Sequence, residues 1–316
     1  MPTIDCVVLN YRTAELALQA AGAARAAMAR YPGSRVHIVD NDSQDGSLEK
    51  LQAGVAEAGW EDVRVSSSGR NGGYGAGNNF AIRESLSDPT PPDYVYILNP
   101  DATPAVNAVA ALVELLEGTP DAGAAGSQLH GPGGEPHFTA FRFPSVESEL
   151  LGGLRLGVLR KLLPEREISI LPRPEVTQEV DWTAGASLLL RRSVLEEVGL
   201  FDETFFLYFE ETDLCRRIRA AGHRIFYVVE SQVTHIGSVS TGYKERDKPM
   251  PRFWFESRRH YFEKNHGRAS AWDANETHAA SLATFEALSR ARGKDPGGRK
   301  DFLKDFVRYN FLDERP

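Results

Sequence analysis

The sequence predicts an α/β fold: a mostly parallel sheet covered by helices on both faces. Short apolar runs alternate with helix-length stretches through the first third of the chain. The runs are continuously apolar, as strands buried on both faces are. Each run ends in polar residues, and in open parallel sheets ligands bind beyond the carboxyl ends of the strands.

The elements follow in order. Asp5 to Leu9 reads as a buried strand, and Thr13 is placed to cap an alanine-rich helix from about Ala14 to Met28. Arg35 to Val39 is a second strand, followed by Asp40-Asn41-Asp42 and a helix capped by Ser47. Val63 to Ser66 is a short third strand. A glycine-rich loop, Arg70 to Gly77, leads into a helix from about Asn78 to Ser85. Tyr94 to Leu98 is a strongly apolar strand ending in Asn99-Pro100-Asp101. Thr103 and Pro104 suit the N-cap and first position of a helix from Ala105 to Leu116. Residues 131–180 have no clean period. Asp181 to Leu190 reads as a turn and a strand, and Ser193 to Glu196 as a capping box ahead of a helix ending at Gly199. Glu210 opens a helix ending near Gly222, and Arg224 to Val229 is a further strand, with His235 closing the run after it.

Composition excludes several classes. The 316 residues give a formal net charge of −8, with 41% hydrophobic and 25% charged residues, which is ordinary for a globular chain. An acidic chain is a poor nonspecific nucleic-acid binder. Two distant cysteines, Cys6 and Cys215, make neither a disulfide framework nor a four-ligand zinc site. No apolar run approaches the ~18 residues of a membrane span, and no signal peptide is apparent, so a cytoplasmic protein is expected. A dinucleotide fingerprint would need glycines after the first strand, where Asn10-Tyr11-Arg12-Thr13 stands. There is no P-loop motif. One carboxylate, one imidazole and phosphate oxygens would make a site for Mg²⁺ or Mn²⁺, and Asp101, His235 and the cluster Glu210, Glu211, Asp213 supply such groups. Each of them alone also has a structural explanation as a turn, core or helix-start residue.

Several motifs in one order carry a resemblance. Val39-Asp40-Asn41-Asp42-Ser43-Gln44-Asp45-Gly46-Ser47 is similar to the VDNxSxDGS segment of glycosyltransferase family 2. Asn71-Gly72-Gly73-Tyr74-Gly75-Ala76-Gly77-Asn78 resembles that family's glycine loop, and Leu98-Asn99-Pro100-Asp101 its metal motif. Trp182 with Gly185-Ala186, Gly199 to Glu203, Phe206 to Arg217 and His235-Ile236-Gly237-Ser238 continue it. The match spans about residues 3 to 265 and resembles the rhamnosyltransferase-like branch.

The resemblance implies a GT-A fold, with a Rossmann-like, mostly parallel central sheet and an acceptor-binding half. Residues 1–265 would form the transferase domain, nucleotide-sugar half 1–120 and acceptor half 121–265, with 266–316 a helical extension. It implies inverting, metal-dependent transfer of a sugar, rhamnose in this branch, from a dTDP-, UDP- or GDP-linked donor to a glycan or polyprenyl-linked acceptor in cell-surface polysaccharide synthesis. Asn10 and Asp40 would line the nucleoside pocket, with Asp40 accepting from a pyrimidine N–H. Asn41, Asn71, Gly72, Gly73, Gly75, Asn99, Trp182 and Gly185 would complete the donor site. Asp101 and His235 would hold Mn²⁺ or Mg²⁺. Arg258 and Arg259 would contact the diphosphate or else form a solvated helix face. Two departures stand out: Asn99 replaces the usual first Asp of the metal motif, and Glu211 replaces the usual Asp base. Glu211 is expected as base, with Glu210 second and Asp213 beside them. A weak or inactive nucleotide-sugar-binding protein is the alternative. The apolar, basic stretch Leu150 to Leu163 reads either as an acceptor-site lid or as a peripheral contact with the inner face of a membrane.

Overall fold

The computed structural model describes residues 1–237 and 246–313. In chain order the strands are β1 (Ile4–Asn10), β2 (Arg35–Asp40), β3 (Val63–Ser67), β4 (Tyr94–Leu98), β5 (Ala102–Pro104), β6 (Ala122–His130), β7 (Ala140–Phe141), β8 (Gln178–Val180), β9 (Trp182–Thr183), β10 (Ser187–Arg191) and β11 (Arg224–His235). The helices are α1 (Ala14–Met28), α2 (Ser47–Glu57), α3 (Tyr74–Leu86), α4 (Ala108–Gly118), α5 (Val146–Leu154), α6 (Gly157–Leu162), α7 (Arg192–Val198), α8 (Glu210–Ala220), α9 (Arg252–Ala291) and α10 (Phe302–Val307).

The main sheet runs β3-β2-β1-β4-β10-β6-β11-β5, with β8 added on β11, and β7 and β9 form a separate ribbon. β1 pairs in parallel with β2 and β4, β2 with β3, and β6 with β11. β10 is antiparallel to both β4 and β6, so β6 and β11 point the same way as β4. The carboxyl ends of β1, β2, β4 and β11 therefore lie on one edge. Asn10, Asp40, Asn99 and His235 are carried there together, and the start of β10 brings Gly185 and Ala186 to the same edge.

Two apolar layers sandwich the sheet. Ala17, Ala20, Ala21 and Ala24 of α1 and Val109, Leu112 and Leu116 of α4 pack on one face. Ile82 of α3, Val194 and Leu195 of α7, and Leu214 and Ile218 of α8 pack on the other. Alanine on α1 lets that helix approach the sheet closely, which explains its narrow apolar side chains. Burying each larger side chain contributes about 1.5–3 kcal/mol, so the α/β sandwich is a rigid frame for the edge.

Local details differ from expectation. Thr103 and Pro104 do not open a helix. They form β5, antiparallel to the end of β11, with Thr103 opposite Thr234 and Ala102 opposite His235. Proline is tolerated there because β5 is an edge strand. The following helix starts at Ala108 instead. α3 begins inside the glycine loop, at Tyr74, because the loop turns on Gly73 rather than on its later glycines. α7 starts at Arg192 without a capping box. β11 is one long strand whose register against β6 shifts between Val228 and Gln232. The boundary at residue 265 falls within α9, beside a break at Gly267, where φ is 82°.

The outer part of α9 closes against α5 and α10. Glu149 is buried there, 2.9 Å from Arg258 and 2.6 Å from His278. Burial would raise its carboxyl, but the Arg258 charge and His278 hold it down to about 2. No helix among the described residues is long and apolar enough to cross a membrane.

Candidate active site

One end of the candidate site is built from β1, β2 and the turn after β2. Asn10 is fully buried and donates to Asp40 Oδ1 at 2.7 Å. Its own Oδ1 accepts from the Thr13 N–H at 3.0 Å and the Thr13 hydroxyl at 3.1 Å, which fixes the amide's orientation. Ser43 closes the turn: its hydroxyl donates to Asp40 Oδ1 at 2.5 Å and its N–H to Oδ2 at 3.1 Å. Asp40 is thus held rigid, with lone-pair capacity left on Oδ2 for one more donor. Arg12, with a left-handed φ of 59°, anchors its Nε on the Ser43 carbonyl at 3.1 Å.

Asn41 clasps the glycine loop to this turn. Its amide hydrogens go to Asn71 Oδ1 at 3.0 Å and the Gly73 carbonyl at 3.2 Å. Asn71 Oδ1 also accepts from the Gly73 N–H at 3.1 Å. Asn41 therefore shapes the loop from within, and Asn71 with Gly72 and Gly73 forms the wall it holds. Gly73 has φ 90°, and a Cβ there would lie 1.9 Å from the Phe206 carbonyl oxygen. That close approach lets Tyr74 N–H donate to the same oxygen at 2.8 Å. Gly75 is similarly tight: its Cβ would meet Phe201 at 3.0 Å and Glu210 at 3.7 Å. The loop is thus the contact through which the donor half grips the segment before α8.

Gly73→Ala should accordingly lose both stability and donor binding. With φ 90° and ψ −175° Gly73 lies in a region essentially restricted to glycine, which costs a side chain roughly 1–3 kcal/mol, and the collision adds to it. Gly46→Ala is the control, since Gly46 has φ 84° but nothing within 4 Å of its Cβ position. Thermal melts and donor titrations of the two variants should separate. Equal losses in both would show that the Phe206 contact contributes nothing.

Asp101 and His235 meet across the β5–β11 pairing. His235 Nε2 lies 3.2 Å from Asp101 Oδ1 and 3.4 Å from the Asn99 amide nitrogen. Asp101 Oδ2 accepts from the Gly237 N–H at 2.9 Å. Burial alone would raise the Asp101 carboxyl, but the His235 hydrogen bond and charge and the Gly237 N–H bring it below its ordinary value. Asn99 Oδ1 is buried with no hydrogen-bond partner. A carboxylate, an imidazole and an orphaned amide oxygen fit a borderline-hard divalent cation such as Mn²⁺ or Mg²⁺. Among the described residues no three His, Cys, Asp or Glu side chains cluster as a metal cage. Asn99 in place of an aspartate is consistent with that sparse donor set. Ser238 of the His235 motif lies outside the described residues.

The carboxylates of α8 lie on the other side of Tyr74. Tyr208 and Phe209 precede them with φ 71° each, a left-handed pair that is costly for aromatic residues and is kept where function over-determines it. Glu210 is raised well above the carboxylate range by burial and then by the charge of Glu211. Burial also raises Glu211, but the surrounding backbone, at Gly185 and Thr212 among others, favours its charged form. In this coupled pair the charge is favoured on Glu211 and the proton on Glu210. Tyr74 OH donates to the Gly185 carbonyl at 2.8 Å. Burial raises its phenol, followed by the charges of Glu211 and Glu210 and, more weakly, of Asp101. The two ends of the cleft are thus within electrostatic reach of one hydroxyl.

Four other predicted residues are engaged in structural contacts. Asp213 is completely buried, and its oxygens accept from Arg217 at 3.0 Å, Lys264 at 2.8 Å and Asn265 at 3.2 Å. It ties α8 to α9 beside Glu211. Arg258 is not on a solvated face. It is buried, paired with Glu149 and sandwiched by Phe262 and Phe306. Arg259 donates to the Tyr309 carbonyl at 3.0 Å in the C-terminal turn. Trp182 stacks on Phe141 with centroids 4.2 Å apart and donates to the Arg142 carbonyl, so it shapes the ribbon leading to Gly185. Sequence reasoning passed over Ser43, Arg12, the Tyr74 hydroxyl and His137, whose ring lies edge-on to His235 at 5.7 Å. Ser43 had a signal, three residues after an aspartate in a turn; the others became visible only in three dimensions.

Residues 6–199 match the family model described as Glycosyl transferase family 2. The chain belongs to glycosyltransferase family 2. Within it, the chain is 33% identical over 217 residues to an N-acetylglucosaminyl-diphospho-decaprenol L-rhamnosyltransferase of Mycobacterium tuberculosis, covering 66% of this chain and 68% of that protein. It is 29% identical over 201 residues to Rhamnosyltransferase WbbL of Escherichia coli, covering 63% of this chain and 72% of that one. This family 2 chain is thus a rhamnosyltransferase-like glycosyltransferase. Among solved structures, the mannosyltransferase PcManGT from Pyrobaculum calidifontis, in complex with GDP-Man and Mn²⁺, superposes with a TM-score of 0.54 at 16% identity, over 99% of this chain and 88% of that one. TarS of S. aureus, residues 1–349 with UDP, gives 0.53 at 14% identity, over 92% and 74%. Both likenesses are of fold, and they agree with the GT-A expectation.

Proposed function

We propose that this glycosyltransferase moves rhamnose from a nucleotide-diphosphate donor to a hydroxyl of a lipid-linked glycan acceptor, with inversion and with a divalent cation. One observation carries the reading: Asn99, bonded to the Ala186 carbonyl, and Tyr74, bonded to the Gly185 carbonyl, bring Asp101 and Glu211 within electrostatic reach of one tyrosine on the edge that also holds Asp40. The rhamnosyltransferase relatives support the sugar. The lipid-linked acceptor of the mycobacterial relative supports the acceptor class, and the Mn²⁺ of the Pyrobaculum structure supports the cation.

Asp40, fixed by Asn10 and Ser43, accepts a pyrimidine N–H. Asn71 and the Gly72–Gly75 backbone pack along base and ribose. Asp101, Asn99 and His235 would hold a divalent cation, which would supply Lewis-acid stabilisation of charge building on the diphosphate. Glu211 takes the proton of the acceptor hydroxyl as its oxygen forms a bond to the anomeric carbon. The bond from that carbon to the phosphate oxygen breaks on the opposite side, and its electron pair leaves with the nucleoside diphosphate. Glu210, protonated, adds no second negative charge beside the incoming oxygen.

A thermal-shift screen of dTDP-, UDP- and GDP-sugars with Mn²⁺ tests the donor assignment. The matching nucleotide should stabilise the fold by about 2.7 kcal/mol at a hundredfold excess over its Kd. Chelation should abolish most of that gain. Equal shifts with all three nucleotides, or indifference to chelation, would overturn the assignment. A shift with no turnover on lipid-linked acceptors would instead indicate a nucleotide-sugar-binding protein.

A further inference from the structure

α6 leaves its apolar side chains in solvent. None of its residues is buried, and Val158, Leu162 and Leu163 are 70%, 68% and 40% exposed. Positions four apart share a helix face, so Val158 with Leu162, and Leu159 with Leu163, form one stripe. Arg160 and Lys161, both exposed, fall on its two flanks. A lid packed on the enzyme would bury this stripe, and the structure does not.

The surroundings are basic on a chain whose net charge is −8. Arg160 pairs with Glu167 at 2.9 Å and Arg166 with Glu147 at 4.0 Å, which leaves Arg155 and Lys161 against Glu165 within 155–167. Arg155 lies over the Phe285 ring at 5.5 Å and sits within electrostatic range of Glu286, Arg160 and Arg246. The 293–301 loop adds charge beside it. A Cβ on Gly298 would lie 3.0 Å from Arg155, and Lys300 N–H donates to the Arg246 carbonyl at 3.0 Å. An exposed apolar stripe between cations is the arrangement that lies in a membrane interface, with aliphatic groups in the acyl boundary and basic heads at anionic lipid. Neither a soluble small molecule nor a nucleic acid calls for that apolar stripe.

We propose that α6 is an interfacial anchor that seats this chain on an anionic bilayer surface. Val158, Leu162 and Leu163 enter the headgroup boundary, and Lys161, Arg160 and the neighbouring arginines meet the phosphates. The stretch between β7 and β10 carries α6 and leads through Trp182 to Gly185, so the anchor and Gly185 belong to one run of chain. The inference rests on exposure and charge, and it stands whatever sugar is transferred.

Vesicle sedimentation of the full chain tests it. The protein should pellet with phosphatidylcholine–phosphatidylglycerol vesicles, less with phosphatidylcholine alone, and be released by high salt. The Val158→Ser/Leu162→Ser variant should partition about tenfold or more weakly. Arg160→Gln/Lys161→Gln should lose about fivefold per cation, on the anionic vesicles only. All four side chains are exposed, so the variants should melt with the parent chain and transfer sugar to a soluble acceptor analogue unchanged. The proposal is overturned if the parent chain stays in the supernatant with anionic vesicles at low salt. It is equally overturned if the serine variant pellets like the parent, or if ultracentrifugation without vesicles shows a dimer that Leu162→Ser dissociates.

Discussion

Glu211→Gln should lower sugar transfer by about 10²–10⁴-fold, the range supplied by a positioned general base, while donor binding measured by calorimetry is retained. The amide is nearly isosteric and keeps an oxygen for the backbone donors at Gly185 and Thr212. What it removes is the lone pair that takes the proton. The pH profile of the parent enzyme adds a sign. Burial raises the Glu211 carboxyl, so a larger fraction is protonated just above the ordinary carboxylate range. Turnover should therefore climb as pH rises through that raised value and then level off, and the climb should be missing in the variant's residual activity. Loss of less than about tenfold would move the base elsewhere, since even weak general bases contribute more. Glu210→Gln should be milder, because Glu210 already carries its proton.

The second large effect is expected at Asp101. Asp101→Asn keeps an acceptor for the Gly237 N–H but gives up the negative charge facing His235. Stabilising charge on a leaving phosphate through a bound cation amounts to several kcal/mol, so kcat/KM should fall about 10³-fold. The Mn²⁺ concentration for half-maximal donor binding should rise in parallel. Because Asp101 titrates below its ordinary value, the parent chain's cation dependence should be flat through neutral pH and worsen only in acid, as Asp101 protonates. A variant with parental activity and parental Mn²⁺ response would place the cation away from Asp101.

Much of the fold was legible because buried parallel strands advertise themselves. The apolar runs at 5–9, 35–39 and 94–98 lie within or coincide with β1, β2 and β4, and each stops at a polar residue that the fold uses. Asn10, Asp40 and Asp101 could be singled out for that reason. What could not be read depends on partners distant in sequence. Gly73 starts α3 because the Phe206 carbonyl lies against it, and no local pattern links positions so far apart. Pro104 looked like a helix start, and only the arrival of β11 makes it a strand. Arg258 looked like a surface cation because a charged side chain is rarely buried unless paired. Its partner Glu149 lies on α5, more than a hundred residues earlier. Asp213 looked like a member of a catalytic cluster, yet Lys264 and Asn265 on α9 claim it.

Gly185 holds a position with a thermodynamic consequence. The backbone of Gly185 favours the charged form of Glu211, and its carbonyl receives the Tyr74 hydroxyl from the glycine loop. One residue thus joins the proton equilibrium of the proposed base to the conformation of the loop proposed to grip the nucleotide. Two equilibria joined in this way are reciprocal. Any change in Glu211 proton affinity caused by donor binding must be matched, factor for factor, by a change in donor affinity when Glu211 gains or loses its proton. Proton uptake or release on donor binding, followed in buffers of different ionisation enthalpy, is the quantity in which that exchange is read.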